Sequence, residues 1–190
     1  YTVRQNTIDW SSHSGMYLKD GGHHLIENNV VSHSLALLND GGAIAISSDG
    51  NTIRGNFLLE SIGNVDESNG CASLNTTPCN HHPSYGMGIG ADNNFKDNVI
   101  EGNTVANNPD IGIRLNAYIN TTVRNNVLYN NDPQLFLEDT HGPSSNNVVD
   151  GNIFYSLTPD QVAVSLTNTT NHGSLDSNSY CNPYSDVAFI

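Results

Sequence analysis

A short pattern of apolar and polar positions recurs along the whole chain. An aliphatic residue is followed by two residues, an asparagine, one residue and a second apolar residue. The seven copies are Val3-x-x-Asn6-x-Ile8, Ile26-x-x-Asn29-x-Val31, Ile53-x-x-Asn56-x-Leu58, Ile100-x-x-Asn103-x-Val105, Val123-x-x-Asn126-x-Leu128, Val149-x-x-Asn152-x-Phe154 and Leu175-x-x-Asn178-x-Tyr180. Their asparagines are spaced by 23, 27, 47, 23, 26 and 26 residues. A repeat of roughly 25 residues without a helical period predicts a β-solenoid, whose coils bury apolar residues by stacking on their neighbours.

A second apolar strand precedes most of these asparagines. Its segments are Met16-Tyr17-Leu18, Ile44-Ala45-Ile46, Met87-Gly88-Ile89, Ile113-Arg114-Leu115, Leu135-Phe136-Leu137 and Val164-Ser165-Leu166. The period of a strand places the first and third residue of each segment inward and the middle residue outward. We therefore predict an all-β protein, a parallel solenoid of about seven coils.

The residue after each first aliphatic position gives an independent test of how the coils stack. Down the stack it reads Arg4, Glu27, Arg54, Glu101, Arg124, Asp150 and Asp176. Strands stacked about 4.8 Å apart bring most of these opposite charges side by side. The alternation survives only if the 47-residue step is one coil. An insertion of about 20 residues must then lie between Leu59 and Tyr85.

The composition is rich in asparagine and in acidic residues, and the charge limits which partners the chain is able to bind. The chain contains 29 Asn, and the seven repeated ones occupy turns, where Asn tolerates left-handed backbone geometry and stacked amides bond each other. Six Lys and Arg against 19 Asp and Glu give a net charge of −13, which argues against a nucleic-acid partner. No apolar run approaches the roughly 18–20 residues of a membrane span.

Cysteines and glycosylation sequons point to the cell exterior. Cys71 and Cys79 lie in one polar stretch inside the insertion at residues 60–85 and are predicted to form a disulfide, which leaves Cys181 over. Sequons begin at Asn75, Asn120 and Asn168. A local cysteine pair, sequons and acidity together favour a secreted or cell-surface protein.

Neither end of the sequence reads as a cap. The chain begins with Tyr1-Thr2-Val3 and stops with Val187-Ala188-Phe189-Ile190, both strand-like. Open solenoid ends template further pairing. We therefore expect residues 1–190 to be a single uncapped segment, either part of a longer solenoid or in end-to-end contact with another segment or subunit.

The coil pattern resembles the right-handed parallel β-helix proteins of the pectin-lyase-like superfamily, over essentially the whole chain. Residues 39–44 (NDGGAI) and 85–92 (YGMGIGAD) look like coils of β-helix glycosidases and related bacterial proteins. The resemblance implies that the solenoid is a right-handed parallel β-helix. It also implies a secreted protein that acts on polysaccharides. The Arg-x-Pro-x-x-Arg motif of pectate lyases, the Gly-His-Gly and Arg-Ile-Lys motifs of polygalacturonases and the Asp-Pro-His-Asp motif of alginate epimerases are absent.

In this superfamily the substrate groove usually lies on the strand that follows the longest loops. In this chain that is the second apolar strand. Its outward columns read Tyr17, Ala45, Gly88, Arg114, Phe136, Ser165, and Lys19, Ser47, Gly90, Asn116, Glu138, Thr167. The small residues Ala45, Gly88 and Gly90 predict a trough with aromatic and arginine walls, which suits a sugar chain. The predicted substrate contacts are Tyr17, Lys19, His82, Tyr85, Arg114, Phe136 and Glu138.

Acidic residues bracket the same strand and supply a candidate catalytic pair. Glycoside hydrolysis uses two carboxylates, about 5–5.5 Å apart for retention and wider for inversion. Asp40 and Asp92 belong to adjacent coils beside the smallest side chains, and Asp110 is able to replace either. The sequence does not assign the acid and the base or nucleophile.

Two other functions remain open. A polysaccharide lyase needs a base, for which His82 and Tyr85 are candidates, and a cation to neutralise a uronate. The net charge of −13 opposes such a substrate unless Ca²⁺ intervenes, with oxygen ligands from Asp92-Asn93-Asn94. Hydrolysis therefore ranks above the lyase reaction. The third candidate is a structural or adhesive extracellular solenoid without catalysis, such as a glycosylated filament subunit.

Overall fold

The computed structural model describes residues 1–38, 40–63, 86–167 and 171–184. Their strands form three parallel sheets. The first sheet contains β1 (Thr2–Arg4), β4 (Leu25–Glu27), β7 (Thr52–Arg54), β10 (Val99–Glu101), β13 (Thr122–Arg124), β16 (Asn147–Asp150) and β19 (Gly173–Asp176). The second contains β2 (Thr7–Asp9), β5 (Val30–Ser32), β8 (Phe57–Leu59), β11 (Thr104–Ala106), β14 (Val127–Tyr129), β17 (Ile153–Tyr155) and β20 (Ser179–Cys181). The third contains β3 (Met16–Lys19), β6 (Gly41–Ser47), β9 (Gly86–Ala91), β12 (Ile113–Asn116), β15 (Leu135–Glu138) and β18 (Val164–Leu166).

Each strand pairs with the strand three elements away along the chain, so successive coils stack as predicted. Six coils contribute a strand to all three sheets, and β19 and β20 begin a seventh. β7 pairs directly with β10, with Ile53 opposite Ile100. The 47-residue step is therefore one coil with an insertion, as the charge alternation required.

The core runs along the axis of the solenoid and is built from the inward residues of all three sheets. Its fully buried members include Ile26, Ile53, Ile89, Ile113 and Leu135. Because each coil has only short strands, a single coil buries little by itself, and stacking supplies the burial.

The corner between the first and second sheets carries the predicted asparagine ladder. Six side-chain amides each donate to the amide oxygen of the next coil over 2.9–3.1 Å, in a ladder of Asn6, Asn29, Asn56, Asn103, Asn126, Asn152 and Asn178. The residue before each ladder position has a positive φ: Gln5, Asn28, Gly55, Gly102, Asn125, Gly151 and Ser177. This left-handed residue makes the sharp bend that turns the chain from one sheet to the next.

The other two corners carry shorter ladders that the sequence reasoning missed. Asn51 donates to Asn98 over 2.8 Å between the third and first sheets. Asn108 donates to Asn131 over 2.9 Å between the second and third sheets. These positions lie five residues before and after the main ladder residues, and this offset is the signal that would have found them.

The predicted charge column lies on the outer face of the first sheet, in the predicted register. Arg54 forms an ion pair with Glu27 at 2.7 Å, and Arg124 with Glu101 at 2.6 Å. Arg4 approaches Glu27 at 3.8 Å. The three arginines are 49–66% exposed, whereas Glu27 is 12% exposed. Because one partner of each pair is open to solvent, we expect each pair to contribute about 1 kcal/mol.

The register of β9 corrects one predicted column. Ala45 lies opposite Gly90, not Gly88, and Gly90 lies opposite Arg114. A Cβ on Gly88 would meet Val105 Cγ1 at 2.2 Å, so this position faces inward. The outward column therefore reads Tyr17, Ala45, Gly90, Arg114, Phe136, Ser165. Asp92, one residue beyond β9, takes the neighbouring column, where the sequence analysis placed Gly90.

Candidate functional site

The outer face of the third sheet contains a cavity of about 230 Å³. Its lining includes His13, Ser14, Tyr17, Asp40, Ala45, Met87, Gly90, Asp92 and Arg114. Asp40 and Asp92, the preferred catalytic candidates, therefore lie at one cavity, together with the predicted substrate contacts Tyr17 and Arg114.

The strands around the cavity are the longest in the described chain. β6 has 7 residues and β9 has 6, whereas most other strands have 3 or 4. Ala45 and Gly90 occupy the outward column here and leave space over the sheet. A Cβ on Gly90 would stand 3.3 Å from Met87 Sδ, so a larger residue would fill the floor. The cavity thus follows from small residues at two successive coils.

Arg114 is held between two carboxylates at the edge of this cavity. Its Nη1 donates to Asp92 Oδ2 at 2.9 Å, and its Nη2 donates to Glu138 Oε1. The side chains of Arg114 and Glu138 are 15% and 8% exposed, whereas that of Asp92 is 32% exposed. Asp92 therefore faces both the cavity and the ion pair, and Glu138 lies behind Arg114.

Neighbouring polar groups fix Asp92 from its other side. Asn116 Nδ2 donates to Asp92 Oδ1 at 2.9 Å, and His141 Nδ1 lies 3.3 Å from the same oxygen. The backbone N–H of His141 donates to Asn116 Oδ1 at 3.2 Å. Thr140 Oγ1 donates to Glu138 Oε1 at 3.2 Å. Thr140 and His141 carry no sequence signal for this position, because the loop after β15 reaches back over the preceding coil.

Burial and the nearby carboxylates change the pKa values of Arg114 and Tyr118. Burial alone would lower the pKa of the Arg114 guanidinium, but Asp92, Glu138 and Asp40 raise it above its ordinary value. Burial raises the pKa of the Tyr118 phenol well above its ordinary value, and the charges of Asp92 and Asp49 add to this. The rise at Arg114, which occurs in spite of burial, has the sign that a negative potential beside the cavity produces.

Asp110, the third catalytic candidate, does not line the cavity. It is 7% exposed, lies before β12 and is not among the residues that line the cavity. Burial raises the pKa of its carboxyl to about 7, Arg114 opposes this shift, and Asp132 adds to it. Asp110 is thus a buried carboxyl group beside another acidic residue in the next coil.

The other predicted contacts lie in different places. Phe136 follows Arg114 in the outward column but is not part of the cavity lining. Lys19 contributes to a separate depression with Tyr1, Tyr17 and His24. The sequon residue Asn120 is exposed at a corner, and its Nδ2 donates to Asp97 at 3.3 Å.

Several predictions fall outside the described residues: the substrate contacts His82 and Tyr85, the disulfide of Cys71 and Cys79, and the sequons at Asn75 and Asn168. Cys181 is exposed and has a free thiol in the part of the chain that the structure describes. Within the same ranges, no three His, Cys, Asp or Glu side chains lie close enough to hold a metal ion. These ranges also contain no helix with the length and apolar character to cross a bilayer.

Comparison with known proteins identifies the fold. A family model described as "Right handed beta helix region" matches residues 1–180. No curated protein matches the chain. Among solved structures, the chain is similar to the Dettilon tailspike protein gp208, with 16% identity and a TM-score of 0.45. The match covers 80% of this chain and 34% of that protein, so the chain spans about a third of its length.

Proposed function

This chain belongs to the right-handed β-helix family, and we propose that it is a carbohydrate-active member that hydrolyses a glycosidic bond in the cavity on its third sheet. One observation carries the proposal. Asp40 and Asp92 contribute to the walls of one cavity, whose floor is made by the small residues Ala45 and Gly90. Most glycosidases use two carboxyl groups that flank the bond to be cleaved.

The contacts of Asp92 favour the role of base or nucleophile. Arg114 and Asn116 donate to its two oxygens, so its orientation is fixed and both oxygens act as hydrogen-bond acceptors. Asp40 forms no hydrogen bond or ion pair with any described residue through its side chain. We assign Asp40 as the proton donor to the leaving sugar, with Glu138 and Arg114 positioning Asp92.

The state of Arg114 favours hydrolysis over a lyase reaction. A lyase needs a cation that neutralises the carboxylate of a uronic acid, and Arg114 is the only arginine in the described cavity lining. Both of its Nη atoms already donate to protein carboxylates. The guanidinium charge is therefore compensated before any substrate arrives.

The experiment measures release of reducing sugar from a panel of oligosaccharides and polysaccharides. Asp92→Asn and Asp40→Asn should each reduce the rate by about 10²-fold or more, since each removes a proton-transfer or nucleophilic group. The matched control is Asp20→Asn, which changes an exposed carboxylate that does not line the cavity. Urea unfolding of all three variants shows whether a loss of activity reflects a loss of structure.

Two results would contradict the proposal. Unchanged activity in both cavity variants would eliminate the site. Binding of glycans without cleavage by the wild-type protein would favour the non-catalytic solenoid of a structural or adhesive protein. The extracellular location stays a prediction, which secretion of the natural protein would test.

A further inference from the structure

An imidazole lies between two carboxylates at the corner between the second and third sheets. Asp9 is the last residue of β2, His33 directly follows β5, and Glu60 directly follows β8, so three successive coils contribute one group each. His33 Nδ1 lies 2.7 Å from Asp9 Oδ1, and His33 Nε2 lies 3.2 Å from Glu60 Oε2. The imidazole therefore contacts the coil on either side of its own. None of the three residues belongs to the described lining of the cavity.

The contacts of both ring nitrogens decide the protonation state of His33. A neutral imidazole has one N–H and one lone pair, so one of its nitrogens would present a lone pair to a carboxylate oxygen. The imidazolium instead donates from both nitrogens. Ser32 Oγ also donates to Asp9 Oδ1 at 2.9 Å, which helps to fix this carboxylate. The arrangement therefore fits the charged form of His33.

The indole of Trp10 covers one face of the same imidazole. The two rings are stacked, with centroids 4.7 Å apart and an angle of 8° between their planes. A cation over the face of an indole is attracted by the ring quadrupole, so this contact also favours the imidazolium. Trp10 is the only tryptophan of the chain. Its fluorescence is therefore a specific probe of the charge on His33.

Neutral amides occupy the same corner position farther along the stack. The backbone hydrogen bonds between coils align Trp10, His33, Glu60, Asn107 and Asn130, and all five residues have a φ of 49–57°. Asn130 Nδ2 donates to Asn107 Oδ1 at 2.9 Å. The fourth and fifth coils are thus joined here by a bond that does not titrate, whereas the first three are joined through an ionisable group.

We propose that the His33 imidazolium is a pH-sensitive clasp, which ties the first three coils together at this corner and releases them when the imidazole loses its proton. The proposal concerns the stability of the corner and does not depend on the proposed function. Asp9 and Glu60 are the charged groups that face His33 from the two neighbouring coils. Among the described residues, no other charge acts on the pKa of His33.

The direction of the pKa changes defines the pH range of the clasp. The hydrogen bond from His33 to Asp9 and the charges of Asp9 and Glu60 raise the pKa of His33 above 6.5, while burial opposes the rise. The stabilisation is complete below 6.5 and is lost as the pH rises through the raised pKa. The same hydrogen bond lowers the pKa of Asp9 below 3.8, so acid breaks the contact only beneath that value. The clasp is therefore closed between pH 3.8 and 6.5.

The first test is a titration of the wild-type protein by NMR and by fluorescence. Long-range ¹H–¹⁵N spectra should show a proton on both ring nitrogens of His33 at about pH 6 and a midpoint above the ordinary value. Trp10 emission should increase across the same midpoint, because an imidazolium in contact with an indole quenches it. His33→Asn identifies the resonances and should abolish the fluorescence step. A midpoint at or below the ordinary value would overturn the proposal.

Three charge-removing variants test the partners of His33. Asp9→Asn and Glu60→Gln keep a hydrogen-bond acceptor and remove the charge, so each should lower the pKa of His33, with the larger fall in Asp9→Asn. Asp20→Asn removes the same charge from the exposed corner after β3 and should leave that pKa unchanged. If Asp9→Asn has no more effect than Asp20→Asn, the proposed contact is wrong.

Amide hydrogen exchange distinguishes a clasp from a titration without structural consequence. The backbone N–H groups of Trp10 and His33 each donate to a carbonyl of the next coil. Their exchange, corrected for its intrinsic pH dependence, should increase about threefold relative to that of Asn107 as the pH rises through the pKa of His33. Asn107 as internal reference cancels a global change such as that expected from Asp110. The ratio should stay constant with pH in His33→Asn. A constant ratio in the wild type would overturn the clasp even if the pKa of His33 is raised.

Discussion

The corner between the first and second sheets and the outer face of the third sheet use polar residues in opposite ways. At the corner, asparagine recurs in seven coils, and six of the side-chain amides donate to the asparagine of the next coil. On the outer face, the six coils carry six different residues in one column: Tyr17, Ala45, Gly90, Arg114, Phe136 and Ser165. Repetition stabilises the stack, and departure from it creates a cavity with charged walls. Local departures of this kind are expected where a fold carries function.

The two regions also differ in how they depend on solvent conditions. The ladder consists of neutral amides buried at 0–1% exposure in the central coils, so neither pH nor salt alters its charge. The stability of the third-sheet region depends on the ion pairs of Arg114 and on the buried carboxyl group of Asp110, whose charges respond to salt and pH. We therefore expect ladder mutations to change the free energy of unfolding by the same amount at every pH. The effects of mutations at Asp110 and Arg114 should change with pH or with salt.

The largest expected effect follows from removing one rung of the ladder. Asn103→Ala leaves the Asn56 backbone N–H and amide without their acceptor, and the Ile53 carbonyl without its donor. Each buried group left unpaired costs about 1–3 kcal/mol, so the free energy of unfolding should fall by about 4 kcal/mol. Urea unfolding measures this loss, which should be similar at low and neutral pH.

Asn107→Gly is the matched control for the ladder. Asn107 is exposed and has a φ of 56°, which glycine adopts without strain. Its side chain accepts one exposed hydrogen bond from Asn130. The free energy of unfolding should change by less than about 0.5 kcal/mol. Equal losses in the two variants would contradict a special role for the ladder.

The second effect has the opposite sign and appears only at higher pH. Burial raises the pKa of Asp110 from 3.8 to about 7, so folding loses stability as the pH rises between these values. The penalty is absent below the unfolded pKa and fully present above the folded one. Asp110→Asn should therefore raise the free energy of unfolding by about 3–4 kcal/mol at about pH 8 and by little near pH 4.

Urea unfolding of Asp110→Asn at both pH values checks this sign. The exposed residue Asp20 supplies the control Asp20→Asn, for which no comparable gain is expected. A gain of equal size at both pH values would show that Asp110 acts by packing and not by its charge. A loss at pH 8 would contradict the burial argument.

The third and smallest effect tests the ion pairs at the cavity. Arg114→Gln leaves Asp92 and Glu138 facing each other without the guanidinium between them. Removing one partner of a buried pair costs about 3–5 kcal/mol, and the partial exposure of Asp92 reduces this to about 2 kcal/mol. Added salt should restore part of the loss, because it screens the repulsion between the carboxylates.

Arg124→Gln is the comparison for this variant. Arg124 pairs with Glu101 on the outer face of the first sheet, with both side chains substantially exposed. Its loss should cost no more than about 1 kcal/mol in thermal or urea unfolding. If Arg124→Gln is the more damaging substitution, the Arg114 cluster is not a special feature of the third sheet.

The repeat was predictable because its signal is local and occurs many times. The seven Asn positions and the alternating charges after Val3, Ile26 and Ile53 specified the coil length, the register and the single-coil step across the insertion. If one copy had been aligned wrongly, the alternation of positive and negative charges would have failed at the neighbouring coils. The apolar alternation predicted β9 too, but two residues out of register, because Met87 and Ile89 fit the inward position opposite Ile44 equally well, and Ile89 occupies it.

The candidate site was predictable only as a set of residues on one face. Asp40, Asp92, Tyr17 and Arg114 do lie at one cavity. The contact of Arg114 with Glu138 and the approach of His141 to Asp92 were not foreseen. These contacts depend on side-chain directions and on a loop that folds back over the preceding coil, and neither leaves a periodic trace in the sequence.

The sequence by itself determined the solenoid, since the burial of each coil requires apolar residues at one spacing and its corners require residues that accept a left-handed backbone. It also placed small residues and carboxylates on the third sheet. Tertiary structure decided which of these groups interact: Arg114 bridges Asp92 and Glu138, Asp40 remains open to the cavity, and Asp110 is buried away from it. The physical reason is that stacking order follows from a repeat, whereas the environment of a charge depends on every neighbour that surrounds it.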